Sequence, residues 1–163
     1  MEAKKRPIKN SFFLVLLCSL SFLACDENRV YDSYSAIPNN EWRRIDPIVL
    51  PFVINDTLTK NSLFVLVRNN NKFKFNKLVL ITELLDPNGK NIVDTLVCDI
   101  ADASGKLLGK GFTEIKEHKI LYKKNHAFPL SGDYILSVRQ EVTNDQNALD
   151  GIVDLGFRIE KEN

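Results

Sequence analysis

Histidine, cysteine and tryptophan are scarce: the 163 residues include two, three and one of them respectively. With only His118 and His126, no His-Glu-x-x-His pair can form, and no Cys-x-x-Cys or calcium-loop spacing occurs. A metal site has no ligand set to start from. No Gly-x-Ser-x-Gly turn is present to expose a nucleophilic serine. The acidic residues are scattered, and no spacing among them selects a general acid and base. The nearest approach to a phosphate loop is Gly105-Lys106-Leu107-Leu108-Gly109-Lys110-Gly111. Three residues separate Gly105 from Gly109 where that loop needs four, and Gly111 stands where Ser or Thr would follow the lysine. A glycine-containing hairpin or bulge is expected there. No enzyme class and no cofactor follow from these residues.

Basic excess is also missing. The formal net charge is +1, and its basic side is concentrated in residues 1–24, where Lys4, Lys5, Arg6 and Lys9 oppose Glu2 alone. Beyond them 18 basic and 20 acidic residues remain, a net charge of −2. Nucleic acid is excluded as a partner, because binding it requires a basic face that displaces counterions. The apolar run from Phe12 to Ala24 is 13 residues, about 20 Å as a helix, too short for a hydrocarbon core of about 30 Å.

That run does fit a secretory signal peptide: basic flank, short apolar core, small-residue exit. The exit is Phe22-Leu23-Ala24-Cys25. It resembles a lipobox, at which a signal peptidase cuts between Ala24 and a diacylated Cys25. Phe22 departs from the usual leucine, and Cys18 is a poorer candidate because bulky Leu17 precedes it. With Cys25 acylated, only Cys98 remains in the mature chain, and it reads as a small buried hydrophobe. An ordinary secreted chain pairing Cys25 with Cys98, or an uncleaved anchor, are the alternatives. Two or more acyl chains hold a protein stably at a membrane without spanning it, so the membrane is the first expected partner.

The mature chain reads as one domain of ordinary globular composition, 44% hydrophobic and 26% charged. Residues 25–44 show no clean period and are expected to be a lipidated tether and irregular segment. From residue 45 onward, strands and turns alternate. Period-2 runs lie at 92–100, 133–143 and 150–160, and Leu63–Val67 and Leu78–Ile81 are apolar on both faces. Further strands are expected at 48–54 and 118–123, with a weaker one at 110–116. Asp86-Pro87-Asn88-Gly89 is a hairpin turn, since proline presets one dihedral and glycine accepts positive φ. Asn144–Leu149 reads as a polar connector. Seven or eight strands with no ten-residue helix between them predict an all-β fold, an antiparallel β-sandwich over 45–163. A closed barrel is the alternative.

Candidate contact residues lie at Pro38-Asn39-Asn40-Glu41-Trp42 and in Arg68-Asn69-Asn70-Asn71, read as a polar edge loop. Trp42 anchors a partner or caps one end of the core. Tyr31, Tyr34 and Trp42, if exposed side by side, would suit a glycan.

Several segments together resemble the gliding-motility lipoprotein GldH family of Bacteroidota. They are Cys25-Asp26, Arg29-Val30-Tyr31, Ile37-Pro38-Asn39-Asn40-Glu41-Trp42, Arg68-Asn69-Asn70, Asp86-Pro87-Asn88-Gly89-Lys90, Asp94-Thr95-Leu96, Asp99-Ile100-Ala101-Asp102, Gly105–Gly111, Phe128-Pro129 with Ser131-Gly132, and Gly151–Glu160. The resemblance implies a non-enzymatic envelope lipoprotein, expected at the outer membrane, whose partners are envelope proteins of the gliding and type IX secretion machinery. It supplies no catalytic residue. Asp56-Thr57-Leu58 and Asp94-Thr95-Leu96 further resemble the O-glycosylation pattern of that phylum, making Thr57 and Thr95 candidate acceptors, with Thr57 expected to be the more accessible.

Overall fold

The computed structural model describes residues 28–111, 114–141 and 148–162. Ala24 and Cys25, with the rest of the expected signal segment, lie outside the described residues, as do 142–143 of the expected 133–143 strand and 144–147 of the expected connector. Ten strands follow one another: β1 Arg29–Ala36, β2 Glu41–Arg43, β3 Ile48–Ile54, β4 Asn61–Asn69, β5 Lys77–Leu85, β6 Asn91–Asp99, β7 Lys116–His126, β8 Gly132–Gln140, β9 Ala148–Asp150 and β10 Ile152–Lys161. The one helical piece among the described residues is a 3₁₀ turn at Pro38–Asn40.

Two four-stranded antiparallel sheets face each other. The first has the order β1-β10-β4-β7 and the second β3-β8-β5-β6, while β2 and β9 form a separate ribbon. The fold is the expected sandwich. Its strands number ten rather than seven or eight, because the short ribbon strands and β1 carry too little periodic signal to be read.

β3 shows the driving pattern most clearly. Ile48, Leu50, Phe52 and Ile54 point inward, and Val49, Pro51 and Val53 point out. Pro51 is tolerated because β3 is an edge strand, pairing with β8 alone. β4 lies inside the first sheet and is buried on both sides, with Leu63, Val65 and Val67 in the core and Leu66 buried outside it. Phe52 sits at the centre of the core, 5.1 Å from Phe157, 5.5 Å from Tyr134 and 5.8 Å from Phe128 between ring centroids.

Residues 25–44 differ from the irregular tether expected of them. Arg29–Ala36 is the edge strand β1, paired with β10 from Arg29↔Glu160 to Ala36↔Asp154. The sandwich therefore begins at Arg29, not at 45. Inward positions of β1 include Ser33 and Ser35, opposite Phe157 and Leu155, and a bulge breaks the register between Arg29 and Tyr31. Main-chain pairing holds this strand, so hydrophobic alternation does not report it. The expected strand at 110–116 is reduced to one bridge, with Lys110 and Glu117 exchanging backbone hydrogen bonds of 2.8 Å. Residues 112–113 lie outside the described residues.

The strands give the sandwich two ends. The chain enters at Asn28, beside the finish of β10, where the Lys161 amide donates to the Asn28 carbonyl at 2.8 Å. From there β4 runs nine residues, about 30 Å at 3.3 Å each, to a distal end formed by the 37–47, 70–76 and 100–111 loops and the start of β10.

Candidate functional site

The distal end is where the sequence-predicted contact residues meet. Ile37 is buried and donates its amide to the Val153 carbonyl at 2.9 Å. Pro38 opens the 3₁₀ turn, which suits its fixed φ. Asn39 and Asn40 both adopt left-handed backbone, with φ of 56° and 57°. Asparagine tolerates this conformation better than any other residue with a side chain of that size, so the Asn-Asn pair has a conformational reason to be there. The Asn40 carbonyl then accepts from the Gly151 amide at 2.8 Å, and the Gly151 carbonyl accepts from the Asn70 amide at 2.8 Å. Gly151 is locked: its φ is +85°, and a Cβ there would lie 2.2 Å from the Phe73 nitrogen.

Trp42 is sealed inside the domain. It is 1% exposed, and its indole N–H donates to the Asp46 carbonyl at 2.9 Å. The capping role is the one the structure assigns. Asn69 likewise moves from an expected surface loop into the fold. Arg68 and Asn69 are the last residues of β4, and Asn69 is fully buried. Its Nδ2 donates to the Asn70 carbonyl at 3.3 Å, leaving Oδ1 to accept from His118 Nε2 at 2.9 Å. That network places the imidazole proton on Nε2. Gly109 packs against the same ring, since a Cβ there would lie 2.7 Å from Nε2. Burial holds the His118 pKa below its ordinary value, against the pull of Glu117.

Arg68 alone of the pair turns outward. Its Nε donates to Asp154 Oδ1 at 2.7 Å, and its guanidinium lies 4.2 Å above the Tyr34 ring centroid. The Tyr34 hydroxyl donates to Glu117 Oε2 at 3.0 Å. Gly156 leaves room for that ring, as a Cβ there would be 2.7 Å from Tyr34 Cδ1. Burial raises the Asp154 carboxyl above its ordinary value, with Arg68 pulling the other way. Burial also raises the Tyr34 phenol, seconded by its bond to Glu117. These contacts fix Arg68, Tyr34, Glu117 and Asp154 relative to one another and make the cluster a scaffold for the surface above it. Among the described residues, no three of His, Cys, Asp and Glu gather as a metal would require.

What remains open at this end is shape. One concavity of about 390 Å³ is rimmed by Pro38, Asn39, Glu41 and Arg43, and another of about 370 Å³ by Lys72, Lys74, Phe75 and Asp150. The aromatic trio does not form a sugar platform. Trp42 is buried, Tyr31 packs 5.6 Å from Phe52 in the core, and Tyr34 is capped by Arg68. Thr95 is exposed on β6, whereas Thr57 is half-buried in its turn, reversing the accessibility expected of them. Cys98 is buried as expected, and burial pushes its thiol up to about 12.

Sequence reasoning offered Tyr34 only as a sugar-contact aromatic, took Gly151 and Asp154 only as parts of the Gly151–Glu160 resemblance, and missed Glu117. Only Gly151 left a local trace of its role, as the Asp-Gly turn between two apolar runs. The other three acquire meaning through pairing across β1, β10, β4 and β7.

Fold and site define an antiparallel β-sandwich with an interlocked end that presents surface and shape. The chain matches the GldH lipoprotein family over residues 29–159. It belongs to that family. It is 39% identical over 160 residues to the gliding motility lipoprotein GldH of Flavobacterium johnsoniae, covering 95% of this chain and 98% of that one. It is 38% identical over 156 residues to a gliding motility lipoprotein GldH homolog of Christiangramia forsetii, covering 93% and 95%. Among solved structures, a subviral particle of infectious bursal disease virus VP2 aligns with a TM-score of 0.43 at 16% identity, covering 83% of this chain and 33% of that one.

Proposed function

We propose that this protein is a lipid-anchored component of the cell envelope, at the outer membrane, that works by contact within the gliding and associated secretion machinery. Cys25 carries the acyl chains after cleavage behind Ala24. Family membership supports the setting, and the composition of the distal end supports a contact role over a reaction. The observation that carries the reading is convergence. Three separated motifs of the family resemblance, Ile37–Trp42, Arg68–Asn70 and Gly105–Gly111, meet around Gly151 and His118, about 30 Å from where the tether leaves. A partner protein would dock on Pro38, Asn39 and the outward face of Arg68, with Asn40, Trp42 and Asn69 shaping that surface from beneath. Cys98 sits near the far end of β6, remote from Asn28, which favours an acylated Cys25 over a disulfide-bonded one. If the threonines are glycosylated, Thr95 is the better acceptor.

A photocrosslinker at Asn39 or Lys72 in intact cells tests this. Adducts with envelope proteins from these positions, and none from Thr95, are the expected result. Adducts from Thr95 alone would move the contact surface elsewhere. A Cys25→Ser chain that stayed processed and membrane-bound would overturn the anchor.

A further inference from the structure

The opposite end of the sandwich carries an arrangement that the contact role leaves unused. The 55–60 loop between β3 and β4 is fastened on itself. Asp56 Oδ1 accepts from the Leu58 amide at 2.8 Å and the Thr59 amide at 3.1 Å, and the Thr59 hydroxyl donates to Asp56 Oδ2 at 2.6 Å. The turn holds Leu58 away from the core, 90% exposed. The side chain is thereby presented to whatever lies beyond this end.

Its surroundings are basic and apolar. Arg29, Val30, Val53 and Lys161 line a cleft of about 330 Å³ beside Asp56 and Thr59. Val53 is 55% exposed and Val30 44%. Lys60 follows Thr59, and its carbonyl accepts from the Glu162 amide at 2.9 Å, which brings the end of β10 alongside. Among the described residues the carboxylates of this end are largely engaged, and Asp26 and Glu27 follow Cys25 in the sequence. Asp56 closes its own loop, and Glu162 accepts from the Ser62 hydroxyl and, at 3.5 Å, from the Asn125 amide. Arg29 has Asp32 at 3.6 Å. Exposed Asp133 lies on the second-sheet side, and Lys124 adds another cation beside Glu162.

Position decides what this end meets. Asn28 is three residues after Cys25, a reach of at most about 11 Å. We infer that this end docks on the phospholipid bilayer, with Leu58 entering the boundary between headgroups and acyl chains and Arg29, Lys60 and Lys161 resting on lipid phosphates. The inference rests on the reading of Cys25 as acylated. A single leucine with a few cations binds free lipid weakly, but a short tether supplies a high effective concentration, so weak contacts suffice. Docking stands the sandwich upright and points the distal cluster away from the membrane.

The test uses the acylated full-length protein, reconstituted in vesicles of phosphatidylethanolamine and phosphatidylglycerol. An environment-sensitive fluorophore is attached at Asn55→Cys, or at Val93→Cys on the second sheet's outer face. Cys98 is 2% exposed and escapes labelling. Spin-labelled acyl chains are expected to quench position 55 several-fold more than position 93. Leu58→Asp with Lys60→Glu should bring position 55 down to the level of position 93. Equal quenching at both positions, with acyl mass found on Cys25, overturns the docking and leaves the anchor standing. No acyl mass on Cys25 overturns the anchor and the docking with it.

Discussion

At the tether end the 55–60 and 86–90 loops close chiefly on their own aspartates, with the Glu162 amide also bonded to the Lys60 carbonyl, whereas loops at the distal end close on one another. In the first group Asp56 takes the amides of Leu58 and Thr59, and Asp86 takes those of Asn88 and Lys90 at 2.9 Å each. In the second, Gly151 joins Asn40 to Asn70, Ile37 joins Val153, and Asn69 joins His118 across 49 residues. The Asp102 hairpin, with its carboxylate on the Ser104 and Lys106 amides, is a local closure that happens to sit at the distal end. A self-closed loop can be altered without disturbing its neighbours. An interlocked one transmits a change to every segment it touches, which gives the distal surface a single fixed shape.

Substitutions can break this contrast, and the largest effect is expected at its centre. Gly151→Ala forces a left-handed alanine against the Phe73 backbone and should cost about 4 kcal/mol of stability, read as a lowered urea midpoint. A cost under about 1 kcal/mol would mean the junction yields. Trp42→Phe removes the bond to Asp46 and part of the packed volume, for about 2 kcal/mol in the same measurement. Asn40→Ala should cost about 1 kcal/mol for its left-handed backbone, while Asn40→Gly should cost close to nothing. If glycine retains partner crosslinking from position 39, the asparagine serves conformation; lost crosslinking would assign its side chain to recognition.

Acid supplies a milder probe. Burial lowers the folded pKa of His118 and of His126. The unfolded chain, near 6.5, therefore binds protons first, so this stability is full above that value and declines as pH falls through it toward the folded pKa values. The melting temperature should drop between about pH 7.5 and 5.5, and less so with both histidines changed to glutamine. The smallest effect belongs to the tether end. Leu58→Asp is expected to shift stability by no more than about 0.5 kcal/mol; a larger loss would show Leu58 to be structural.

Legibility followed the same division. Asp86-Pro87-Asn88-Gly89 could be read because proline, glycine and a carboxylate act within five residues. β3 and β10 could be read because one face is buried and the other wet. β1 could not, since its inward serines carry no apolar signal and its hold comes from β10. Asn69 looked like part of a surface loop because polar residues near turn signals usually are exposed, and for Trp42 the anchor and the core cap both stayed open. Their burial depends on Asp46 and on His118, partners that nothing local announces.

The order of residues alone set the alternating strands and the self-closed turns, and it carries the expectation of a signal segment ending before Cys25, because each arises from neighbours a few positions apart. Tertiary structure decided that Arg29–Ala36 is an edge strand, that Arg68 faces outward while Asn69 is sealed, and that three distant motifs share one end. Those outcomes depend on which strands pair and in what register, and pairing is settled by burial summed over the whole sandwich.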